Sequence, residues 1–344
     1  MNFCSDNVTG VSPEIAAAVM AANVGPSMPY GNDEATGKVE IAIAALFEAD
    51  ADVFLLPTGT AANALSLSVL APPFGSIYCH PEAHIQVDEC GAPEFYTGGA
   101  KLALLPDRAG KISADDLTEA LKDENGDVHH VKPSAVSLTQ TGETGAVYTI
   151  EEIRAITSVA HDHGLKVHMD GARFANAVAA LNCSPADITS MAGIDVLSFG
   201  ASKNGAFAAE AVVLFTPGMA TEFAHRRKRA GHLFSKMRFL AAQFEAYLKD
   251  DLWLRSARHA NHCMKILSSG LSDISEVDLL FTADANMLFA RMPNQMIKGL
   301  RAAGFAFYDW PEEERTVIRL VTAFDTVKED AEAFVAEARR LGNA

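Results

Sequence analysis

Cysteine is scarce in this sequence, and its cysteines are isolated from one another. The 344 residues contain five cysteines, none of which forms a Cys-x-x-Cys pair, so we expect neither a disulfide framework nor a metal site. Long hydrophobic runs are also missing, since none reaches the ~18 residues that a membrane helix requires. The first residues, Met-Asn-Phe-Cys-Ser-Asp, lack the basic and apolar regions of a secretory signal. These absences predict a cytoplasmic protein.

Positive charge is in short supply as well. Lys and Arg total 28 against 44 Asp and Glu, which gives a net charge of −16. Nucleic acids and anionic membranes repel such a surface, so we expect neither as a partner. Hydrophobic residues make up 49% of the 344 residues, and this length exceeds the range of a single core. We predict a large domain over residues 1–245, with an N-terminal arm over 1–20, and a small C-terminal domain over 246–344.

The glycine motifs of nucleotide-binding proteins are missing too. No Gly-x-Gly-x-x-Gly follows a predicted strand. The segment 31–38 resembles a phosphate-binding loop, but five residues separate its glycines and Val39 stands where Ser or Thr would bind Mg²⁺. The sequence therefore predicts no nucleotide site.

Short apolar strands alternate with amphipathic helices along the first two thirds of the chain. This alternation is typical of an α/β protein with a doubly wound, mostly parallel sheet. Two strand-like pieces and several helices near the C-terminus predict a smaller α+β unit. The predicted strands are 53–56, 76–79, 102–105, 135–138, 165–169, 196–199 and 211–215, and the predicted helices include 39–49, 61–70 and 149–163.

Two charged residues end apolar runs, where charges are unusual. Asp170 ends the run that begins at Leu165, and Lys203 ends the run that begins at Val196. A lysine amine forms a Schiff base with pyridoxal phosphate, and an aspartate keeps the pyridinium nitrogen protonated so that the ring accepts electrons. Either residue alone would be an ordinary strand-end charge. The two together indicate a pyridoxal phosphate enzyme.

A turn of small residues precedes these two strands. The segment 57–63, Pro-Thr-Gly-Thr-Ala-Ala-Asn, leads from a predicted strand directly into a predicted helix. Thr58, Gly59 and Thr60 would present backbone N–H groups and hydroxyls to a phosphate at the positive end of the helix dipole. Because the carboxyl ends of parallel strands meet at one edge of a sheet, this turn, Asp170 and Lys203 should converge on one crevice.

Several segments together carry a family resemblance. The sequence resembles the low-specificity threonine aldolases, in the fold-type I (aspartate aminotransferase-like) class of pyridoxal phosphate enzymes. Asp-Gly-Ala-Arg followed by Ser-Lys at this spacing is fairly specific for the family, whereas the phosphate turn is generic to the fold. The resemblance implies a homo-oligomer, either a dimer or a tetramer, whose sites combine residues of two chains. The matching segments are 5–9, 30–33, 58–63, 84–92, 127–129, 170–173, 198–203 and 318–322.

The resemblance also implies roles for individual residues. Lys203, Asp170 and His84 would be catalytic, with His84 lying flat against the cofactor ring and within reach of the β-hydroxyl of the substrate. Glu89 would support them through hydrogen bonds. The implied cofactor-binding set is Thr58, Gly59, Thr60, His84, Asp170, Arg173 and Lys203. The implied substrate-binding set is Ser5, His129, Arg173 and Arg319, with Ser5 and the two arginines binding the carboxylate.

The sequence departs from the family pattern in two segments. The family usually has Gly-Gly-x-Met-Arg-Gln after a basic pair, whereas residues 227–236 read Arg-Lys-Arg-Ala-Gly-His-Leu-Phe-Ser-Lys. The arginine expected there is missing, so the basic residue of 226–236 that contacts the phosphate stays open, with Lys236 one candidate. The segment 138–145, Leu-Thr-Gln-Thr-Gly-Glu-Thr-Gly, replaces the usual Glu-Asn-Thr, so contacts near the cofactor are expected to differ.

The resemblance predicts cleavage of L-threonine, L-allo-threonine and related β-hydroxy-α-amino acids, such as phenylserine, to glycine and an aldehyde. Another pyridoxal phosphate enzyme of the same fold, a β-eliminating lyase, racemase or aminotransferase, is an alternative. A narrower alternative within the aldolases is activity on phenylserine-like or hydroxyaspartate-like substrates. A third reading is a cofactor-binding protein without turnover or an interaction module. The presence of the lysine, the aspartate, the histidine and both arginines argues against that reading.

Overall fold

The computed structural model describes residues 1–122, 127–310 and 316–342. Its strands are β1 (Asp52–Leu56), β2 (Gly75–Cys79), β3 (Lys101–Leu104), β4 (Lys132–Thr139), β5 (Lys166–Gly171), β6 (Val196–Gly200), β7 (Glu210–Leu214), β8 (Asp278–Leu279), β9 (Met287–Arg291), β10 (Tyr308–Trp310) and β11 (Val317–Val321). Its helices are α1 (Pro13–Ala21), α2 (Glu34–Leu46), α3 (Gly59–Leu70), α4 (His84–Val87), α5 (Ala92–Thr97), α6 (Ala114–Leu121), α7 (Ile150–Asp162), α8 (Phe174–Leu181), α9 (Ala220–Arg229), α10 (Arg238–Leu248), α11 (Leu252–Ser272), α12 (Asn294–Ala302) and α13 (Lys328–Gly342).

Strands β1 to β7 form one sheet in the order β1-β7-β6-β5-β4-β2-β3. The neighbouring strands β3, β2, β4, β5 and β6 pair in parallel, as the alternation of strands and helices predicts. Strand β7 is antiparallel to both of its neighbours, β6 and β1. A parallel connection needs a dozen or more residues. Only residues 201–209 join β6 to β7, so the chain has to turn back. The carboxyl ends of β1, β4, β5 and β6 therefore meet at one edge.

Helices cover both faces of this sheet, and the strand residues alternate between them. In β5, Val167 and Met169 pack in the larger apolar core. The side chain of His168 faces the other way, where it hydrogen-bonds to Ser137 and Ser198. Asp170 shares the face of His168 because side chains two residues apart in a strand point the same way. That face is the one covered by α3.

Helix starts follow the side-chain signals in the sequence. Ser113 caps α6, and Thr149 caps α7 in a capping box with Glu152. Thr58 caps α3 by accepting a hydrogen bond from the backbone N–H of Ala61. The cap fixes α3 directly behind β1, so its N-terminus lies at the edge where the parallel strands end.

Strands β8 to β11 form a second, antiparallel sheet in the order β10-β11-β9-β8. The N-terminal residues pack against this sheet. The N–H of Phe3 donates to the carbonyl of Ala306 at 2.8 Å, and the N–H of Val321 donates to the carbonyl of Phe3 at 2.9 Å. Phe3 is buried in the apolar core of this part of the chain, against Phe334. The N-terminal segment is thereby held beside β11, while a domain boundary near residue 245 stays a prediction.

Across the described ranges, we find no helix that combines the length and the apolar character needed to cross a bilayer.

Candidate active site

A chain of polar side chains joins three elements at the carboxyl edge of the first sheet. Asp170, near the end of β5, accepts hydrogen bonds from the backbone N–H of Ala172 at 2.9 Å and from Asn63 Nδ2 at 2.7 Å. Asn63, on α3, also donates to Glu89 Oε1 at 2.9 Å. The same Glu89 oxygen lies 2.8 Å from His84 Nδ1. Two carboxylates and an imidazole are thus fixed around one amide.

The charges of these hydrogen-bonded side chains favour the protonated form of the His84 imidazole. The hydrogen bond to Glu89 raises the pKa of His84, burial opposes the rise, and the charge of Asp170 adds to it. Burial raises the pKa of Glu89, against the hydrogen bonds from His84 and Asn63. Because Nδ1 is committed to Glu89, Nε2 is the ring nitrogen left for another contact, and 29% of the His84 side chain is exposed. The imidazole is therefore positioned to exchange a proton at Nε2.

The imidazole of His84 and the carboxylates of Glu89 and Asp170 lie close enough together to be considered as metal ligands. One ligand atom from each of His84, Glu89 and Asp170 falls within 4.8 Å of the others. The Asn63 amide, however, donates N–H groups to both carboxylates, and N–H donors occupy the place where a cation would need oxygen ligands. The arrangement suits a hydrogen-bonding role.

The turn at the start of α3 has the features of a phosphate cradle. The carbonyl and hydroxyl oxygens of Thr58 accept from Ala62 and Ala61. The N–H groups of Gly59 and Thr60 belong to the first turn, which has no intrahelical acceptor for them. A Cβ added at Gly59 would meet no atom within 4 Å. Donors at the positive end of a helix and open space beside them fit a phosphate.

Lys203 reaches the same edge through a close approach of two chain segments. It lies half-buried in the turn Ser202–Asn204, directly after β6. A Cβ at Gly200 would lie 2.9 Å from the Cα of Ala172, so only glycine lets the end of β6 pack against the segment after Asp170. Asn204 anchors the turn by donating to the hydroxyl of Tyr247 at 2.9 Å and to a backbone carbonyl.

The structure places a buried acid, Glu210, beside this lysine, and the sequence analysis did not predict it. Glu210 opens β7, pairs in register with Gly200 of β6 and is buried. Burial raises the pKa of Glu210 to about 7, whereas a hydrogen bond from Ser202 and the charge of Lys203 lower it. In the sequence, Glu210 is only a single glutamate before an apolar strand. Its position beside Lys203 becomes visible only in the folded structure.

Arg173 is held by an acid that the sequence predictions also missed. Its Nε and Nη2 donate to the two carboxylate oxygens of Asp6 at 2.7 and 2.9 Å, and both side chains are buried. Burial alone would lower the pKa of Arg173, but the charge and hydrogen bonds of Asp6 outweigh it and raise that pKa. Asn286 also donates to Asp6, at 3.1 Å. Arg173 therefore has one edge of its guanidinium fixed, which leaves Nη1 as its free end.

Arg319 differs from Arg173 because no carboxylate holds it within the described residues. Its Nη2 donates to the carbonyl of Cys4 at 3.2 Å, and its guanidinium lies 5.3 Å from the ring centroid of Tyr308. Its Nε is buried and has no hydrogen-bond partner among residues 1–122, 127–310 and 316–342. Burial and the charge of Arg173 lower the pKa of Arg319. A guanidinium with spare buried donors is a receptor for an incoming carboxylate.

The remaining predicted residues divide between the two edges of the sheet. Ser5 lies beside Asp6, to which its hydroxyl is 3.5 Å, and so belongs to the arginine side of the site. His129 lies in the exposed segment before β4. The strand places it about 23 Å from the carboxyl edge, at ~3.3 Å per residue over β4. The structure therefore does not bring His129 to the site of its own chain.

The basic segment after β7 has one buried arginine. Arg227 donates to the carbonyl of Leu55 at 3.2 Å and lies 4.9 Å from the ring centroid of Phe54. Burial lowers the pKa of Arg227. Lys228 lies over the ring of Tyr30, and Lys236 is exposed.

Comparison with known proteins places this geometry in a family. Residues 2–294 match the family described as beta-eliminating lyase. A low-specificity L-threonine aldolase from Pseudomonas sp. (strain NCIMB 10558) is 45% identical over 307 residues, which cover 89% of this chain and 88% of that protein. The solved structure of a threonine aldolase from Leishmania major superposes with a TM-score of 0.93 at 30% identity, over 99% of each chain.

A more distant structure adds to the evidence on the fold. A serine palmitoyltransferase from S. paucimobilis, solved with bound PLP, has a TM-score of 0.74 at 15% identity and covers 100% of this chain and 87% of its own. At this identity the likeness concerns the fold alone, which is that of the fold-type I pyridoxal phosphate enzymes. The fold class predicted from the sequence is confirmed.

Proposed function

The chain belongs to the beta-eliminating lyase family, and we propose that it is a low-specificity L-threonine aldolase. It is a lyase that cleaves L-threonine, L-allo-threonine and related β-hydroxy-α-amino acids, such as phenylserine, to glycine and an aldehyde. The 45% identity to the Pseudomonas enzyme over 89% of the chain supports this reaction over the other chemistries of the fold. The observation that carries the proposal in the structure is the hydrogen-bonded set of Asp170, Asn63, Glu89 and His84 at the edge that also holds Lys203.

The residues at this edge fit pyridoxal phosphate as the cofactor. Bound to Lys203, it would supply an electron sink for the electrons released at Cα when the Cα–Cβ bond breaks. Asp170 is buried and fixed by two donors, so its carboxylate would hold a proton on the ring nitrogen. Thr58, Gly59 and Thr60 would bind the phosphate through the free N–H groups of the first turn of α3.

The two arginines have different tasks toward the substrate carboxylate. Arg319 offers a buried Nε without a partner and is the main receptor. Arg173 is locked to Asp6 and contributes through its remaining Nη1. Ser5 lies beside this pair. A carboxylate held at two points fixes which bond at Cα is cleaved, because the substrate cannot rotate.

His84 is the proposed base for the β-hydroxyl. Its Nδ1 is tied to Glu89, so Nε2 takes the proton as the aldehyde forms. The imidazolium that results carries its positive charge next to the Glu89 carboxylate, which stabilises it. The protonated imidazole can then return the proton at the same atom.

Replacing Glu89 with glutamine tests this assignment through pH. The base form of His84 is needed, so kcat/KM should rise with pH through the pKa of His84, which Glu89 holds above its ordinary value. In Glu89→Gln that pKa falls, so the acidic limb of the profile should move to lower pH while the plateau drops. The control is Glu82→Gln, an exposed glutamate on the same segment. An unmoved acidic limb in Glu89→Gln would remove His84 from the role of base.

We also propose that the protein forms at least a homodimer, and that it functions as a dimer or tetramer. The family resemblance, which implies sites built from residues of two chains, supports this assembly. The resemblance assigns His129 to substrate binding, and because that side chain lies far from the site of its own chain, it would serve the site of another copy. The five cysteines are unpaired, which fits a reducing, cytoplasmic location.

Mixing two inactive variants tests the shared site. Lys203→Ala and His129→Ala proteins should each have reduced activity, and oligomers reassembled from both should recover part of it. Recovery is expected because a Lys203→Ala chain still offers an intact His129 to the Lys203 of its partner. Sedimentation would give the mass of the assembly. An active monomer, or mixed oligomers that gain nothing, would contradict the proposal.

A further inference from the structure

Glu143 lies in the loop between β4 and α7, at the same edge of the sheet as the candidate site. The loop starts directly after Thr139, and the N–H of Gln140 donates to the carbonyl of Asp170 at 2.8 Å. The neighbours Thr141 and Thr144 are buried, whereas Glu143 itself is half-buried. The loop therefore presents one carboxylate beside the catalytic aspartate's strand.

Several contacts fix this loop in place. The side-chain amide of Gln140 accepts from the N–H of Tyr148 at 3.0 Å and donates to its carbonyl at 2.9 Å. Gly145 has a φ of +88°, and a Cβ there would lie 2.7 Å from the carbonyl oxygen of Met287. The loop is thus packed directly against the second sheet. Glu143 is held at a defined position because its flanking backbone has little room to move.

That position lies among the charged groups of the site. The negative charge of Glu143 favours the charged forms of His84, Arg173 and Arg319, although burial and the charge of Arg173 keep the pKa of Arg319 lowered. These three side chains come from α4, from the segment after β5 and from β11. The geometry agrees, because the loop contacts Asp170 through Gln140 and Met287 through Gly145, and Met287 lies on the strand that pairs with the strand of Arg319. Glu143, between these two contacts, therefore lies where the edge of the first sheet faces the second sheet.

Glu143 also differs from Asp6 and Glu89, because it has no direct partner within the described part of the chain. Asp6 pairs with Arg173, and Glu89 bonds to His84 and Asn63. Glu143 makes no hydrogen bond or ion pair with any residue that the structure describes. The substrate carboxylate has Arg319 as its receptor, whereas a second carboxylate beside Glu143 would meet a like charge that no described residue pairs with directly.

We propose that Glu143 sets the charge selectivity of the site for the β-substituent of the substrate. It disfavours β-hydroxy-α-amino acids that carry a second carboxylate and admits those with a neutral or cationic β-substituent. The inference rests on the proposed aldolase function and narrows its substrate class. The physical reason is repulsion between like charges in a partly buried pocket, where water screens the interaction less than in bulk solution.

The test compares two substrates in wild-type and Glu143→Gln enzyme. The ratio of kcat/KM for β-hydroxyaspartate to kcat/KM for L-threonine should rise roughly tenfold or more in the variant, as expected for the loss of one charge–charge repulsion. The dissociation constant of L-aspartate relative to L-alanine, read from the cofactor absorbance without turnover, should fall in the same direction. Raising the ionic strength should shrink the difference between wild type and variant.

Two further variants complete the test. Glu151→Gln makes the same change of net charge on the exposed surface of α7 and should leave both ratios unchanged, and Glu143→Asp should keep the wild-type selectivity. Unchanged ratios in a Glu143→Gln protein that still cleaves L-threonine would overturn the inference, and so would equal losses with both substrates. If the wild-type enzyme cleaves no β-hydroxy-α-amino acid at all, the proposed function fails, and the inference fails with it. That outcome can be told apart from unchanged ratios in an enzyme that still cleaves L-threonine.

Discussion

Lys203→Ala is expected to lower the turnover of L-threonine by a factor on the order of 10³ or more, since removal of a covalent catalytic group typically has effects of that size or larger. Lys203 lies in the turn after β6, beside the strand that carries Asp170. Without its amine the cofactor has no covalent attachment at this edge, although the phosphate turn can still bind it. Borohydride reduction followed by peptide mapping should find the cofactor on Lys203 in the wild type and on no lysine in the variant.

The control for this prediction is Lys298→Ala, which removes an exposed lysine of α12. It should retain wild-type turnover and the label on Lys203. A label on any other lysine of the wild-type protein, or near-normal turnover in Lys203→Ala, would place the attachment site elsewhere.

Asp170→Asn is expected to bind pyridoxal phosphate but to lose turnover by roughly a hundredfold or more, the scale found when one preorganised electrostatic contact is removed. The side chain is buried and accepts from Asn63 and from the N–H of Ala172. An amide of the same shape carries no charge, so it cannot hold a proton on the ring nitrogen. Binding should be measured by absorbance, and turnover should be expressed per bound cofactor.

Asp195→Asn is the matched control, because Asp195 is also a buried aspartate of this sheet but lies at the opposite edge. It bonds to His161 at 2.8 Å and to Lys166 at 3.0 Å. That variant should lose stability while each cofactor-loaded chain keeps its turnover. Near-normal turnover in Asp170→Asn would remove Asp170 from its proposed role.

The local pattern of the sequence was enough to predict the type of sheet, and the family resemblance supplied the fold type. Apolar runs of four or five residues separated by capped helices predicted a mostly parallel sheet, and the family and fold class are confirmed by the match over residues 2–294 and by the Leishmania major structure. The antiparallel course of β7 was not predicted. Its cause is the short connection over residues 201–209, which a strand-by-strand pattern does not weigh.

The parts of the site that escaped prediction depend on long-range contacts. The ion pair between Asp6 and Arg173 joins residues 167 positions apart, and no local pattern marks Asp6 as its partner. Asn63 was visible only as the end of the phosphate turn, although it links Asp170 to Glu89. Glu143 lies in the segment 138–145, which departs from the family pattern. That departure predicted different contacts near the cofactor, but it did not indicate that the charge of Glu143 would act on the substrate.

The roles assigned to the individual site residues remain predictions, and the positions of two of them refine the original expectations. Arg173 has one edge bound to Asp6, so Arg319 becomes the main carboxylate receptor. His129 lies at the far edge of β4, so any role in the site has to come from a second copy. Both refinements follow from tertiary placement, which the family resemblance alone does not supply.

The most direct test of the proposed function is the product balance of the purified, cofactor-loaded protein with L-threonine, L-allo-threonine and phenylserine. Cleavage of the Cα–Cβ bond predicts glycine and the corresponding aldehyde in equal amounts, and neither should form in Lys203→Ala protein. The contradictory result is the absence of aldehyde from every β-hydroxy-α-amino acid, together with exchange of the Cα proton, elimination or amino transfer on another amino acid. That result would assign the same site to a racemase, a β-eliminating lyase or an aminotransferase.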